Sequence, residues 1–229
     1  LYDLSPDDAS IFLRNLQRKS HKEIEADTRD INIFTPEAGN VDIRVIRPKN
    51  NHDKLPAIIY IHGGGWILGD KEVYDMPSKK LANETNSVVI FVNYTKSPEA
   101  KYPTALNQIY GVLRYIFDNH DEFNIFQDKI AIVGDSAGGN MAAATAIRAK
   151  KENGPKIVCQ VLIYPVTDAD MNTKSYDDFK NGPWLTKKAM EWFFDAYAPD
   201  KKLRNSLYVS PLKAEIEDLT GLPPAIIIT

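Results

Sequence analysis

The sequence predicts an α/β domain built on a mostly parallel, doubly wound sheet. Three observations carry that reading. Short, nearly continuous apolar runs rich in β-branched residues recur, as at Pro56–Ile61 (Pro-Ala-Ile-Ile-Tyr-Ile) and Ser87–Val92 (Ser-Val-Val-Ile-Phe-Val). Such runs suit strands covered on both faces. Segments with helical periodicity lie between them, and this alternation implies right-handed crossovers. Glycine-rich turns follow two strand segments, at His62–Gly65 and Gly134–Gly139.

At the N-terminus Ser5 can cap a helix, Pro6 suits its first position and Asp8 completes a capping box. Ile11, Phe12 and Leu16 then fall on one face. Asp30–Thr35 and Val41–Arg47 alternate in polarity and read as a half-exposed antiparallel pair. The α/β core follows. Its strands are Pro56–Ile61, Ser87–Val92, Lys129–Val133, Ile157–Ile163 and Ala225–Ile228. Its helices are Met76–Glu84, Ala105–Asn119 and Ala137–Lys151. Between Asp168 and Pro211 the alternation stops. That insertion holds an amphipathic helix, Thr186–Ala198, with Met190, Phe193, Phe194 and Tyr197 on one side. It reads as ordinary packing on the core or as a lid. The lid is favoured, because the insertion interrupts a regular pattern on the side where such sheets bind ligands.

Bulk properties narrow the function. The 229 residues are 43% hydrophobic and 26% charged, as in an ordinary globular domain. The net charge is −3, and the basic pairs Lys79-Lys80, Lys150-Lys151 and Lys187-Lys188 are scattered. A nucleic-acid partner is therefore not expected. The single cysteine, Cys159, excludes an internal disulfide and sits among apolar residues as an inert thiol. No apolar run is long enough for a transmembrane helix, and Leu1-Tyr2-Asp3-Leu4 is no signal peptide. A cytoplasmic protein is the expectation.

Two motifs carry chemistry. Gly134-Asp135-Ser136-Ala137-Gly138 fits G-x-S-x-G. It follows a strand and opens a helix, the setting of a nucleophile elbow. Such a turn strains the serine and exposes its hydroxyl, and the helix dipole favours negative charge beside it. A plain strand–helix turn is the alternative. His62-Gly63-Gly64-Gly65-Trp66 follows another strand. Its unobstructed N–H groups, from Gly63, Gly64 or Gly65, could form an oxyanion hole with that of Ala137. His62 and Asp135 are expected to support this loop, and His62 is a poor candidate for a general base. No Lys-Ser pair follows, so the glycines are no P-loop. Asp168 and Asp170 form only a lone D-x-D without histidine or cysteine, so no metal is predicted and Asp168 reads as a structural or pocket residue.

Together these motifs resemble the hormone-sensitive-lipase-like (family IV) carboxylesterases of the α/β-hydrolase fold. Asn93-Tyr94, Ser97-Pro98-Glu99 and Tyr102-Pro103 resemble the family's Y-x-x-x-P-E-x-x-x-P. Tyr164-Pro165-Val166-Thr167-Asp168 resembles its Y-P-x-x-D, and Ser210-Pro211-Leu212 and Gly221-Leu222-Pro223-Pro224 also match. Gln108 departs from it, where the family usually has an acidic residue. The resemblance covers nearly the whole chain. It implies one domain over 1–229, with about 1–25 and 169–210 as a helical cap. It implies Ser136 as nucleophile, small esters with short or medium acyl chains as substrates, and no cofactor or metal. Trp66, Phe193 and Phe194 are candidates to line the pocket, with core packing an equal alternative. Some relatives form homodimers through an edge strand, which stays open here.

A triad of this fold runs serine, acid, histidine in chain order. His21, His52, His62 and His120 all precede Ser136. The resemblance places the acid just past a strand like Ala225–Ile228 and the histidine further on. The expectation is a piece of a longer protein, with the last strand and helices missing and the 229 residues alone inactive. The alternatives are a catalytically dead binding protein, like the plant gibberellin receptor of the same fold, or an inactive truncated remnant.

Overall fold

The computed structural model describes residues 4–17 and 24–229. Helix α1 (Pro6–Gln17) starts where the capping pattern predicts: Ser5 Oγ accepts the N–H of Asp8 at 3.1 Å and donates to its carboxylate at 2.7 Å. Its expected apolar face differs. Ala9 is the residue turned fully inward, whereas Ile11 and Phe12 are just over half exposed. The side chain of Leu16, and all of His21, lie outside the described residues.

Strands β1 (Ala26–Thr35) and β2 (Gly39–Pro48) pair antiparallel along their whole length. β2 alternates as predicted, with Val41, Ile43 and Val45 buried. Next come β3 (Leu55–Ile61), α2 (Asp75–Thr85), β4 (Val88–Asn93), α3 (Thr104–Asp118), β5 (Ile125–Asp135), α4 (Ala137–Lys151) and β6 (Gln160–Ile163). The insertion contributes α5 (Lys174–Asp178) and α6 (Lys187–Tyr197), and α7 (Ile216–Leu219) leads into β7 (Ala225–Ile228). The sheet order is β1-β2-β4-β3-β5-β6-β7, antiparallel as far as β4 and parallel from there on.

The two faces of the sheet explain the continuous apolar runs. Ile59, Ile61, Val88, Ile90 and Val92 join the larger core, under α3 and α4. Ile58, Tyr60, Val89 and Phe91 join the smaller one with Ala82 of α2. Because side chains alternate across a strand, a strand covered on both faces needs apolar residues at every position. In α6, Thr186 Oγ1 accepts the N–H of Ala189 at 3.1 Å, and Met190, Phe193, Phe194 and Tyr197 are buried as their spacing predicted. Among the described residues β7 pairs with β6 only, and its isoleucines at 226, 227 and 228 are 59%, 60% and 49% exposed. It thus lacks the cover that β3 and β4 receive. Among the described residues, no helix is long and apolar enough to cross a membrane.

One polar contact fastens the antiparallel edge. Arg44 of β2 grips Asp30 of β1 with two hydrogen bonds, at 2.7 and 3.0 Å. It also reaches Glu72 at 3.2 Å and Asp75, the first residue of α2, at 3.1 Å. The Arg44 guanidinium, with Lys71, holds the Asp30 carboxyl well below the usual carboxylate range. Arg44 itself is nearly buried, so removing it leaves three crowded carboxylates. Arg44→Ala is expected to cost about 1–3 kcal/mol of stability, measured as a shift of the urea midpoint at pH 7. Because the folded-state value of Asp30 is depressed, its share is present above the ordinary aspartate pKa and is lost as pH falls below it. The gap between wild type and Asp30→Asn should therefore close on acidification.

Candidate active site

Parallel register brings the two glycine motifs to the same end of the sheet. β3 and β5 are neighbours, and Ile61 pairs with Gly134. His62 follows directly on Ile61, and Gly134 is itself the first residue of the serine motif.

Ser136 is the single residue between β5 and α4. Its φ of 54° and ψ of −118° lie where a residue with a side chain is rarely found. The surroundings enforce this. The Ser136 N–H donates to the Ile163 carbonyl at 2.8 Å, which ties the turn to β6. The Ser136 carbonyl accepts the N–H groups of Asn140 and Val166, at 3.0 and 3.2 Å. Asn140 clamps the far side, donating through its side chain to the carbonyls of Val166 (2.7 Å) and Val209 (2.8 Å). The glycines of the motif are required by close approach. A Cβ at Gly138 would stand 2.0 Å from the Ile61 carbonyl oxygen, and one at Gly134 would stand 2.3 Å from that of Gly138.

The loop after β3 is fixed peptide by peptide. A trans peptide points its C=O and the following N–H to opposite sides, so holding one aims the other. The His62 carbonyl accepts the Tyr94 hydroxyl at 3.0 Å, and the Gly63 N–H donates to Asp135 Oδ1 at 3.1 Å. The Gly63 carbonyl lies 2.8 Å from His62 Nδ1. The Gly64 carbonyl accepts the N–H groups of Leu68 (2.8 Å) and Ile67 (3.2 Å). Gly65, at φ +61°, lies under the Phe193 ring, where a Cβ would stand 2.4 Å from ring carbons. Among the described residues, the N–H groups of Gly64, Gly65 and Ala137 donate no hydrogen bond. Of the three loop glycines, Gly63 is thereby removed as a free donor, and Gly64 and Gly65 remain.

The other predicted residues divide. His62 is fully buried, stacked 4.2 Å from the Tyr94 ring and 5.3 Å from that of Phe91. Burial pushes its pKa down to about 4. It is therefore neutral and carries its proton on Nδ1, toward the Gly63 carbonyl. His52 and His120 sit at the opposite end of the sheet: Asn124 donates to the His52 carbonyl at 2.8 Å, and the Ile125 N–H to that of His120 at 3.1 Å. Among the described residues no histidine side chain is hydrogen-bonded to Ser136. Asp168 is held by a turn, accepting the N–H of Asp170 at 3.1 Å, with Lys213 3.7 Å away.

Trp66 and Phe194 take the core-packing alternative. Both are sealed, with Trp66 1% exposed, stacked at 4.4 Å on Tyr197 and 5.1 Å from Phe194. They are the interior of the joint between α6 and the loop. Phe193 belongs to the same joint and covers Gly65. Gln108 is structural: it accepts the Thr95 N–H at 2.7 Å and donates to its hydroxyl at 2.9 Å. The sequence reading took Tyr94 only as part of a family motif and missed Tyr60, Tyr74 and Asn140. Only Asn140 left a signal, a polar residue in a helix of small apolar ones, four positions after the serine.

Comparison with known proteins agrees with this geometry. Residues 58–229 match the family described as the α/β hydrolase fold. A putative α/β hydrolase of Acanthamoeba polyphaga mimivirus is 36% identical over 228 residues, covering all of this chain and 65% of the relative. A carboxylesterase of Mycobacterium tuberculosis is 34% identical over 191 residues, covering 83% of this chain and 60% of its own. The crystal structure of a thermostable esterase from Pseudomonas putida superposes with a TM-score of 0.95 at 37% identity, covering 99% of this chain and 71% of that one. The chain thus spans 60–65% of the length of the first of these curated relatives.

The state of His62 is measurable. Between its folded-state pKa of about 4 and the ordinary value of 6.5, the unfolded chain binds a proton that the folded chain refuses. Stability must then fall as pH drops through that window, by up to about 1.4 kcal/mol per unit. Urea midpoints from pH 7 to pH 4.5 should decline more steeply for wild type than for His62→Phe, which keeps a ring between Tyr94 and Phe91 but cannot titrate.

Proposed function

The chain belongs to the α/β-hydrolase fold family, in its hormone-sensitive-lipase-like branch, and on that basis we propose that it is the nucleophile-bearing part of a serine carboxylesterase. Ser136 Oγ attacks the ester carbonyl. The N–H groups of Gly64, Gly65 and Ala137 receive the oxyanion, at the positive end of α4. The alcohol departs, and water then hydrolyses the acyl-enzyme. The observation that carries this reading is the strained Ser136 flanked by N–H groups with no other partner among the described residues.

Ser136 needs a base, and the base needs an orienting carboxylate. His62 is neutral and turned to its own loop, and His52 and His120 are at the far end of the sheet. The reading therefore takes the acid and histidine from outside these 229 residues. It treats α1 and residues 169–210 as the cap. By resemblance to the family, its substrates are small esters with short or medium acyl chains.

A binding protein that keeps the pocket without turnover is the second reading, favoured by the lack of a described histidine at Ser136. Hydrolysis of p-nitrophenyl esters by the full-length protein separates the two. The esterase reading expects turnover that is faster for acetate to octanoate than for palmitate. It expects Ser136→Ala to lower kcat at least about 10³-fold, and the 229-residue piece alone to stay at background. Turnover unaffected by Ser136→Ala would end it; ester binding without turnover would support the binding protein.

A further inference from the structure

We propose that Asp135 is a positioning residue that locks the glycine loop against Ser136, acting through hydrogen-bond geometry and not through its charge. The inference rests on the esterase reading of Ser136 and adds a component to it.

Asp135 is 8% exposed, and its carboxylate gathers three donors. Oδ1 accepts the Gly63 N–H at 3.1 Å and the Tyr60 hydroxyl at 3.2 Å, and Oδ2 accepts the Tyr74 hydroxyl at 2.9 Å. Those donors come from three elements: Tyr60 from β3, Gly63 from the loop, and Tyr74 from the residue that precedes α2. Asp135 itself is the last residue of β5, one position before Ser136. The fit is tight as well as bonded. A Cβ at Gly63 would lie 2.3 Å from Oδ2 and 2.8 Å from the Asp135 carbonyl oxygen. The loop therefore has no room to settle closer, and the hydrogen bond prevents it from moving away.

This contact selects which amides stay free. Gly63's N–H is bound to Asp135, and its carbonyl faces His62. The next two N–H groups, on Gly64 and Gly65, have no partner among the described residues. If Asp135 released Gly63, the first of the three amides would be freed and the planes after it could turn. Donors aimed at a developing oxyanion lose much of their effect when displaced by an ångström. The loss should fall on the chemical step and leave substrate binding little changed.

Geometry and charge can be separated because an asparagine amide is nearly isosteric. Its oxygen can still accept the Gly63 N–H and the Tyr60 hydroxyl, while its NH2 donates to the Tyr74 oxygen. The test compares Asp135→Asn, Asp135→Ala and Asp135→Ser in the full-length protein. Each kcat is normalised to the sites titrated by a fluorophosphonate, so unfolded protein does not count. The expected result is a roughly 10²-fold fall in kcat for Asp135→Ala and Asp135→Ser, with KM within about threefold. Asp135→Asn should recover at least tenfold of that loss. Asp135→Ser, which keeps a polar group but cannot reach Gly63, serves if Asp135→Ala does not fold. Asparagine as impaired as alanine would overturn the proposal in favour of charge. Full kcat per titrated site in both truncations would overturn it in favour of a purely structural residue. Ser136→Ala run alongside keeps the questions apart: if it retains activity, the esterase reading fails whatever Asp135 does.

Discussion

The first turn of α4 lies against the end of β3 with no space for a side chain between them. The Ile61 carbonyl oxygen stands where a Cβ of Gly138 would be, 2.0 Å away. Helix and strand can meet so closely only across a glycine. That approach places Ser136 and Ala137 beside the loop that leaves β3, and everything local to the site follows from it. Were α4 displaced outward by the width of a methyl group, the serine turn could not bond at once to β6 and to the 164–166 segment. The Ser136 backbone strain persists because its hydrogen bond to the Ile163 carbonyl and those it accepts from Val166 and Asn140 over-determine it.

Around that contact the protein arranges backbone dipoles, not side-chain charges. Three successive peptides of the glycine loop are held by their carbonyls or by one N–H: to Tyr94, to His62 and to the turn at Ile67–Leu68. Neutral, buried partners do the holding. His62 is kept uncharged by burial, and Tyr60, Tyr74 and Tyr94 all have raised pKa values because they are buried near Asp135. The one carboxylate among them takes three donors, as a buried charge must. On the outer side, α6 closes the joint with stacked aromatic rings, so the loop is gripped from both faces.

Much of this was legible in the sequence because local geometry dictated the residues. The inner strands read as continuous apolar runs since helices cover both faces. G-x-S-x-G was readable because two glycines are forced by backbone contacts. The expected β5 is too short, starting at Lys129, because polar Gln127 and Asp128 look like a loop; pairing of Leu55 with Ile125 carries the strand back further. What the sequence could not convey was long-range partnership. Asp135 is expected from the sequence to support the loop, but nothing near Gly63 says that its N–H is the group the carboxylate binds, 72 residues away. Nothing around Trp66 says whether it faces a cavity or a tyrosine of α6. The exposed Ile11 and Phe12 of α1 belong to the same class, since the burial of a helical face depends on what lies opposite.

The central claim is that Ser136 and three backbone amides form one reacting centre. A crystal structure of the full-length protein inactivated with a p-nitrophenyl alkylphosphonate tests it most directly. The account predicts phosphorus bonded to Ser136 Oγ, with its oxygen about 2.7–3.1 Å from the amide nitrogens of Gly64, Gly65 and Ala137, and with Gly63 still bound to Asp135. An unmodified Ser136, or an adduct whose oxygen points away from those amides, would contradict it.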